Sequence, residues 1–378
     1  MPYLYINSKG VPWKKHSYSA GNDFDQCPYK YYLRRVLGWK EKDNKARFLF
    51  GRALEESIEF YHSHNGEGAV QDFSRRWAEY KDAQNIAYTD VEKNWETCLK
   101  IGTDMIRLYS AVQPKLPIPI GANSIFQREY AKEVFPGDPN YGEIEDAGKV
   151  DIVCYTDPKH PALIDNGCQA AVRPLIVDIK TSAVDFPEQQ GIAAFDSQLR
   201  RYSWLTGIRD VAFLWFKKSP LGIKRGSNVT LLESFGNLEV GKEYITAKID
   251  DDFVWLVMAD FLIRETDKVK ADEQQAWLEK NAVRVPKSSV TKQRLQFNSG
   301  IVTEQSAEDA GRNAARQIVQ IVNCWKTGNW PQTFGIRYPR NDRDDAYFRA
   351  FVLGDEVFKQ HNFVKLDEQS FDELFQED

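Results

Sequence analysis

The stretch Leu175-Ile176-Val177-Asp178-Ile179-Lys180-Thr181 is an apolar run that ends in an acid, one apolar residue, a cation and a hydroxyl. In a strand successive side chains point to opposite faces, so Asp178 and Lys180 project together while Ile179 turns into the core. A carboxylate beside an ammonium at the end of a buried strand can hold a divalent metal next to a positive group. An Asp and a Lys two apart also arise by chance as a salt-bridged strand end, so the weight of the pair depends on its company. That company comprises Asp151 in the strand-like stretch 147–155 and Gln198 with Tyr202, four apart on a helical segment. It also includes Glu55, Glu59 and His62, which share one face of another helix because residues three and four apart are neighbours. Taken singly, these have plainer readings: a solvated acidic face for the glutamates, and an ordinary helix-packing pair for Gln198 and Tyr202.

Several elements must position these groups. Residues 1–22 read as an irregular arm, broken by Gly10, Pro12 and Gly21. Capping-type residues then precede an aromatic helical run in which Lys30, Arg34 and Arg35 interleave with Tyr29, Tyr31 and Tyr32. That pattern fits either a basic solvated helix face or a surface turned to nucleic acid. A helix is predicted over 46–64, with Phe50, Leu54, Ile58 and Tyr61 as its apolar stripe. Further helices are expected over 69–81 and 90–112, and the Pro-rich run 114–119 stops helix and marks a change of composition.

After that run the hydrophobic period becomes that of strands, over 126–134, 147–155, 175–180 and 211–217, with a helix over 191–207 before the last. Three strands, then a helix crossing to a fourth, predict an α/β core with a mixed sheet. Farther on, 219–250 reads as loop and hairpin, long helices are expected over 251–282 and 305–326, and 329–344 is rich in Pro, Gly and Arg. The last twelve residues are acidic, with Phe371, Leu374 and Phe375 between the charges. Such an end is either a disordered solubilising tail or a docking peptide for a protein partner.

Composition bounds the function. With 42% hydrophobic and 13% aromatic residues, the 378-residue chain can bury a large core. No run approaches eighteen apolar residues, and Met1-Pro2-Tyr3-Leu4-Tyr5 lacks the pattern of a secretory leader, so a cytoplasmic protein without membrane contact is expected. Cys27, Cys98, Cys154, Cys168 and Cys324 form no CxxC pair, which argues against a disulfide framework or a zinc ribbon. A net charge of −5 gives no global basic field, although a groove can still be locally basic. Neither a nucleophile elbow, a GxxxxGK[ST] phosphate loop nor a dinucleotide fingerprint is present, which disfavours an unrelated small-molecule hydrolase.

In chain order, Glu55 after Gly51, Asp151, Asp178-Ile179-Lys180 and Gln198…Tyr202 resemble the PD-(D/E)xK phosphodiesterase superfamily. The nearest resemblance is to its RecB-like nuclease branch, which includes the CRISPR-associated adaptation exonucleases. Cys27-Pro28-Tyr29-Lys30-Tyr31-Tyr32, Phe50-Gly51-Arg52-Ala53-Leu54-Glu55, Gly148-Lys149-Val150-Asp151 and Lys326-Thr327-Gly328-Asn329-Trp330-Pro331 echo its further signatures. The resemblance implies a restriction-endonuclease-like mixed β-sheet core flanked by helices, at 121–220. A helical region at 1–120 would contribute to the site, a mostly helical region would follow at 221–365, and an acidic tail would end the chain at 366–378.

What the resemblance implies chemically is a DNA nuclease that uses Mg²⁺ or Mn²⁺, an exonuclease of DNA processing, recombination or repair. Asp151, Asp178, Glu55 and the backbone carbonyl of Ile179 would hold the metal. The family often has His where Glu55 stands, and Glu56, Glu59 or His62 are alternatives to it. Lys180 would orient the attacking water, lower its pKa or stabilise the charged phosphorane, and Gln198 and Tyr202 would position the scissile strand or hold Lys180. Members with an iron–sulfur cluster pair an early Cys with three near the C-terminus; no Cys follows Cys324, so no cluster is expected and Cys27 should be a small buried residue. Candidate phosphate contacts are Arg34, Arg35, Arg200, Arg201, Lys217, Lys218, Arg337, Arg340 and Arg343, with Tyr29, Tyr32 and Trp204 as stacking platforms. The alternative is a catalytically silent DNA-binding or assembly protein of the same fold.

Overall fold

A computed structural model describes residues 15–42, 44–83, 86–120, 124–141, 144–156, 172–187, 189, 191–333 and 345–366. Arg337, Arg340, Arg343, Cys168 and the acidic residues from 367 onward lie outside these.

The chain opens on strand β1 (Lys15–Ser17) and helix α1 (Tyr18–Gln26), whose first turn is capped by the Ser17 hydroxyl accepting from Ala20 N–H. This part of the expected irregular arm is therefore ordered. Helix α2 (Pro28–Tyr31) starts on a proline, which has no N–H to leave unsatisfied there, and a π-turn carries the chain to β2 (Trp39–Glu41). After β3 (Asn44–Lys45) come α3 (Ala46–Ser63), α4 (Ala69–Ala83), β4 (Ile86–Ala87) and α5 (Trp95–Val112), close to the helices read from the sequence.

The main sheet follows in β5 (Ile125–Glu133), β6 (Glu145–Tyr155) and β7 (Pro174–Ser182). Helix α6 (Ser197–Thr206) then leads to β8 (Asp210–Lys217). The Asp196 carboxylate caps α6 by accepting from the N–H groups of Gln198 and Leu199, and left-handed Gly207 ends it. Strand β5 pairs antiparallel with β6, β6 antiparallel with β7, and β7 parallel with β8, the crossover being α6. Strands β7 and β8 are buried almost throughout, as a sheet covered on both faces demands. Helices α3, α4 and α5 cover one face, packing on Ile152, Cys154, Leu175, Val177 and Ile179. Helix α6 covers the other, packing on Val150, Val153, Ile176, Val211 and Phe213. This mixed sheet between helices is consistent with a restriction-endonuclease-like fold.

The stretch 219–250 holds the expected hairpin, β9 (Asn228–Leu231) paired antiparallel with β10 (Glu243–Ile249), within a five-stranded antiparallel sheet. Beyond it the structure departs from the sequence reading. The long helix expected over 251–282 is instead β11 (Phe253–Val257), α7 (Asp260–Lys268) and α8 (Gln274–Asn281). Five consecutive apolar residues, Phe253-Val254-Trp255-Leu256-Val257, suit a strand buried between two others better than one stripe of a helix. Strands β12 (Val283–Pro286) and β13 (Val290–Thr291) complete that sheet. Next, β14 (Arg294–Ile301) returns to the main sheet beside β8, so that sheet draws a strand from well past residue 220. Helix α9 (Glu304–Thr327) matches the helix expected over 305–326, and α10 (Glu356–Asn362) and β15 (Phe363–Lys365) end the described chain.

Candidate active site

The site forms where β6 and β7 part. Their last paired residues are Ile152 and Val177, and continuing the register one step sets Asp151 across from Asp178. There the strand hydrogen bond is replaced: Ile179 N–H donates to the Asp151 carboxylate at 2.8 Å. Lys180 Nζ stands 2.7 Å from Asp178 Oδ2, as the alternation of β7 requires.

Other elements reach this point from both faces of the sheet. Gly51 sets α3 beside the end of β7: a Cβ on it would make ordinary contact, at 3.9 Å, with both the Thr181 hydroxyl and the Glu55 carboxylate. From the opposite face, Gln198 donates its amide to the Tyr202 hydroxyl at 2.7 Å, and Tyr202 is buried against β6. Gly148 permits that approach, because a Cβ there would sit 2.8 Å from the Tyr202 ring and 3.1 Å from Leu205.

The electrostatics follow from crowding acids out of water. Asp178 is 1% exposed; its Oδ2 is paired with the Lys180 ammonium, and its Oδ1 has no donor among the described residues. Burial pushes its pKa up to about 7, with Lys180 opposing and Asp151 adding to the rise. Burial likewise raises Asp151, against Lys180 and the Ile179 N–H. Glu55 is raised well above the usual carboxylate range by burial, then by Asp151, with Asp178 adding and Lys180 opposing. Burial disfavours the charged form of Lys180, but Asp178 and Asp151 outweigh it and hold its pKa above that of a free lysine. Burial raises the Tyr202 phenol, and Asp178 and Asp151 raise it further.

Thus Glu55, Asp151, Asp178, Lys180, Gln198 and Tyr202 converge, though they are drawn from two helices and two strands. Among the described residues no three His, Cys, Asp or Glu side chains are gathered into metal-binding geometry. The donors nevertheless suit a hard cation: all are carboxylates, Asp151 raises both Glu55 and Asp178, and Asp178 keeps one buried oxygen, Oδ1, without a hydrogen-bond donor among the described residues. The alternatives to Glu55 are engaged elsewhere or stand apart. His62 is buried, with Nε2 2.6 Å from the Tyr109 hydroxyl and Nδ1 3.1 Å from the Pro119 carbonyl. Glu56 is ion-paired with Arg52 and Arg76. Glu59 feels Lys149, Arg76 and Glu56 but none of the three acids above.

Several expected DNA contacts are structural. Arg201 is buried in an ion pair with Asp146, donating Nε to Oδ2 at 2.7 Å, and presents nothing to a phosphate. Arg35 is buried against Asp23 and Ser19, and Lys218 is buried against Glu92. Arg34 is partly exposed but pairs with Asp23, and Lys217 pairs with Asp185. Arg200 is half-buried, bonding the Ala194 carbonyl and lying over the exposed Phe195 ring. Tyr29 and Tyr32 pack against each other, Tyr32 stacks on Trp330, and Trp204 fills the space left by Gly311 on α9. Cys27 is buried, as expected of a small core residue.

A cation that sequence reasoning passed over stands nearer the acids. Lys149 is exposed two residues before Asp151, and its charge is felt by Asp151, Glu55 and Glu59. The sequence does carry a signal for it, since Lys149 stands two residues from Asp151, the spacing of Asp178 and Lys180.

A family model described as the PD-(D/E)XK nuclease superfamily matches residues 15–210, a span that holds all six converging residues. A search of curated proteins finds no match. One solved structure, described as "Crystal structure of SSO0001", is 17% identical over 48% of this chain and 70% of that chain, with a TM-score of 0.20. Assignment of the fold therefore rests on the family match and on the sheet itself. No helix among the described residues is long and apolar enough to cross a membrane.

Proposed function

The chain belongs to the PD-(D/E)XK nuclease superfamily, and from that premise we propose that it is a metal-dependent deoxyribonuclease of the RecB-like kind, acting on DNA ends. The observation that carries the reading is Asp178: a buried carboxylate whose one partner is Lys180 keeps Oδ1 without a donor among the described residues, and a protein gains nothing in stability from that. A cation binding there offsets that cost.

Asp151, Asp178, Glu55 and the Ile179 carbonyl are the groups that would hold Mg²⁺ or Mn²⁺, hard ions that take oxygen donors. Such an ion supplies neutralisation of phosphate charge and a water of lowered pKa. Lys180, kept protonated by the two aspartates, acts as a fixed positive charge toward the phosphorane rather than as a base. The Gln198 amide fixes the Tyr202 hydroxyl beside Asp178 and Lys180, so α6 braces the end of β7 against the pull of substrate. Lys149, exposed on the same approach, would anchor a backbone phosphate. Action on ends is favoured over site-specific cutting by the RecB-like resemblance.

The test incubates wild type and Asp178→Ala with end-labelled linear and circular DNA, single- and double-stranded, in Mg²⁺, Mn²⁺ or EDTA. Degradation of linear DNA by wild type only with metal, and none by the variant, is the expected result. Binding without cleavage by both proteins would overturn the enzyme and leave a DNA-binding protein of the same fold. Cleavage of circular DNA would overturn the preference for ends.

A further inference from the structure

Asp151 stands in the middle of a row that crosses three strands. On one side it faces Asp178, by the register of β6 and β7. On the other, β5 pairs Phe126 with Ile152 and Arg128 with Val150, which carries Gln127 across from Asp151.

Gln127 is also where the β5–β6 ladder is interrupted, and its φ is +50°. Among the described residues the other non-glycine with positive φ is Asn65, in the turn after α3, where asparagine tolerates the left-handed region. A glutamine inside a strand has no such ease, and the position would suit glycine better. Strain of this kind persists when the surroundings impose it, and it gathers at functional sites. The Gln127 side chain lies close enough to the Asp151 carboxylate to favour its charged form.

We propose that Gln127 is a positioning residue: the left-handed kink in edge strand β5 aims its amide at Asp151. Together with the Ile179 N–H, that amide holds the carboxylate facing Asp178 across the parted strands. This rests on the metal-site reading above. Asp151 is then clamped from both neighbouring strands, by a backbone donor on one side and a side-chain donor on the other. Outer partners of this kind set the orientation of a metal-binding carboxylate, and their loss typically costs about 10–100-fold in metal affinity or activity.

Two variants separate backbone from side chain. Gln127→Gly relieves the positive φ and removes the amide; Gln127→Ala keeps the strain and removes the amide. Thermal melting, Mn²⁺ titration calorimetry and the kcat and KM of DNA cleavage are measured on both and on wild type. Gln127→Gly is expected to melt no lower than wild type yet bind Mn²⁺ about tenfold more weakly, with kcat reduced and KM for DNA unmoved. Gln127→Ala should lose the same Mn²⁺ affinity while melting lower. If Gln127→Gly keeps wild-type Mn²⁺ affinity and kcat, the proposal is overturned and the kink is only structural. If wild type itself binds no Mn²⁺, the metal-site reading falls and takes this one with it.

Discussion

Asp146 and Asp178 sit on neighbouring strands of one sheet, equally buried, and the chain treats them in opposite ways. Asp146, fully buried, accepts from the Arg201 guanidinium, which also reaches the Gln317 side chain. Gln317 in turn bonds Asp25 and stands 3.1 Å from His16, so the acid belongs to a network tying α1, β1, β6, α6 and α9 together. Asp178 has a lysine 2.7 Å from Oδ2 whose side chain keeps 35% of its exposure, and its Oδ1 has no donor among the described residues. One buried acid is finished by protein groups and serves the fold. The other keeps one oxygen without a partner, and the proposed function assigns that oxygen to a cation. Burial alone does not distinguish them; satisfaction does.

The largest effect that could break this contrast is loss of stability at the finished acid. Asp146→Ala strands a buried guanidinium and should cost about 3–5 kcal/mol in denaturant unfolding. A loss under 1 kcal/mol would remove the structural half of the comparison. Gly148→Ala sharpens the other half: its methyl would meet the Tyr202 ring at 2.8 Å, so overpacking should cost about 1–3 kcal/mol and slow cleavage by displacing Tyr202. Unchanged cleavage in a destabilised variant would show that Tyr202 has no part in the reaction.

A smaller effect lies at His62, a second finished group. Burial lowers its pKa to about 4 from the ordinary 6.5, and its bond to the Pro119 carbonyl only partly opposes this. Between those values the unfolded chain binds a proton that the folded chain does not, so stability rises with pH across the window. His62 therefore contributes fully above about pH 6.5 and loses its contribution as pH falls toward about 4. His62→Gln should flatten part of that slope in melting curves taken from pH 7 to pH 4. An unchanged slope would assign the acid sensitivity to other groups, such as His16, lowered to about 3 by burial and by Arg201.

Much of the open site was legible in the sequence. Period-two alternation placed Asp178 with Lys180, period 3.6 placed Gln198 with Tyr202, and the strands carrying Asp151 and Asp178 fell within one or two residues at the buried stretches. The finished site was not legible. Arg200 and Arg201 are adjacent and chemically alike, and which one is buried depends on Asp146, 55 residues away in the chain. Gln127 was missed for a related reason: a left-handed glutamine leaves no compositional trace, unlike a glycine in the same conformation. The helix expected over 251–282 failed because a short apolar run does not by itself choose between strand and helix. The antiparallel partners of β11 made that choice.

The most direct test of the central claim, that Asp178 is left open for a cation, is the melting temperature of wild type and Asp178→Asn as Mn²⁺ is titrated. Asparagine removes the buried charge and keeps the shape. A ligand that binds only the folded state stabilises it in proportion to the logarithm of its concentration above Kd. Wild type is expected to melt higher as Mn²⁺ rises, while Asp178→Asn melts no lower than wild type without metal and does not respond. Equal responses from the two proteins, or none from wild type, would contradict that claim.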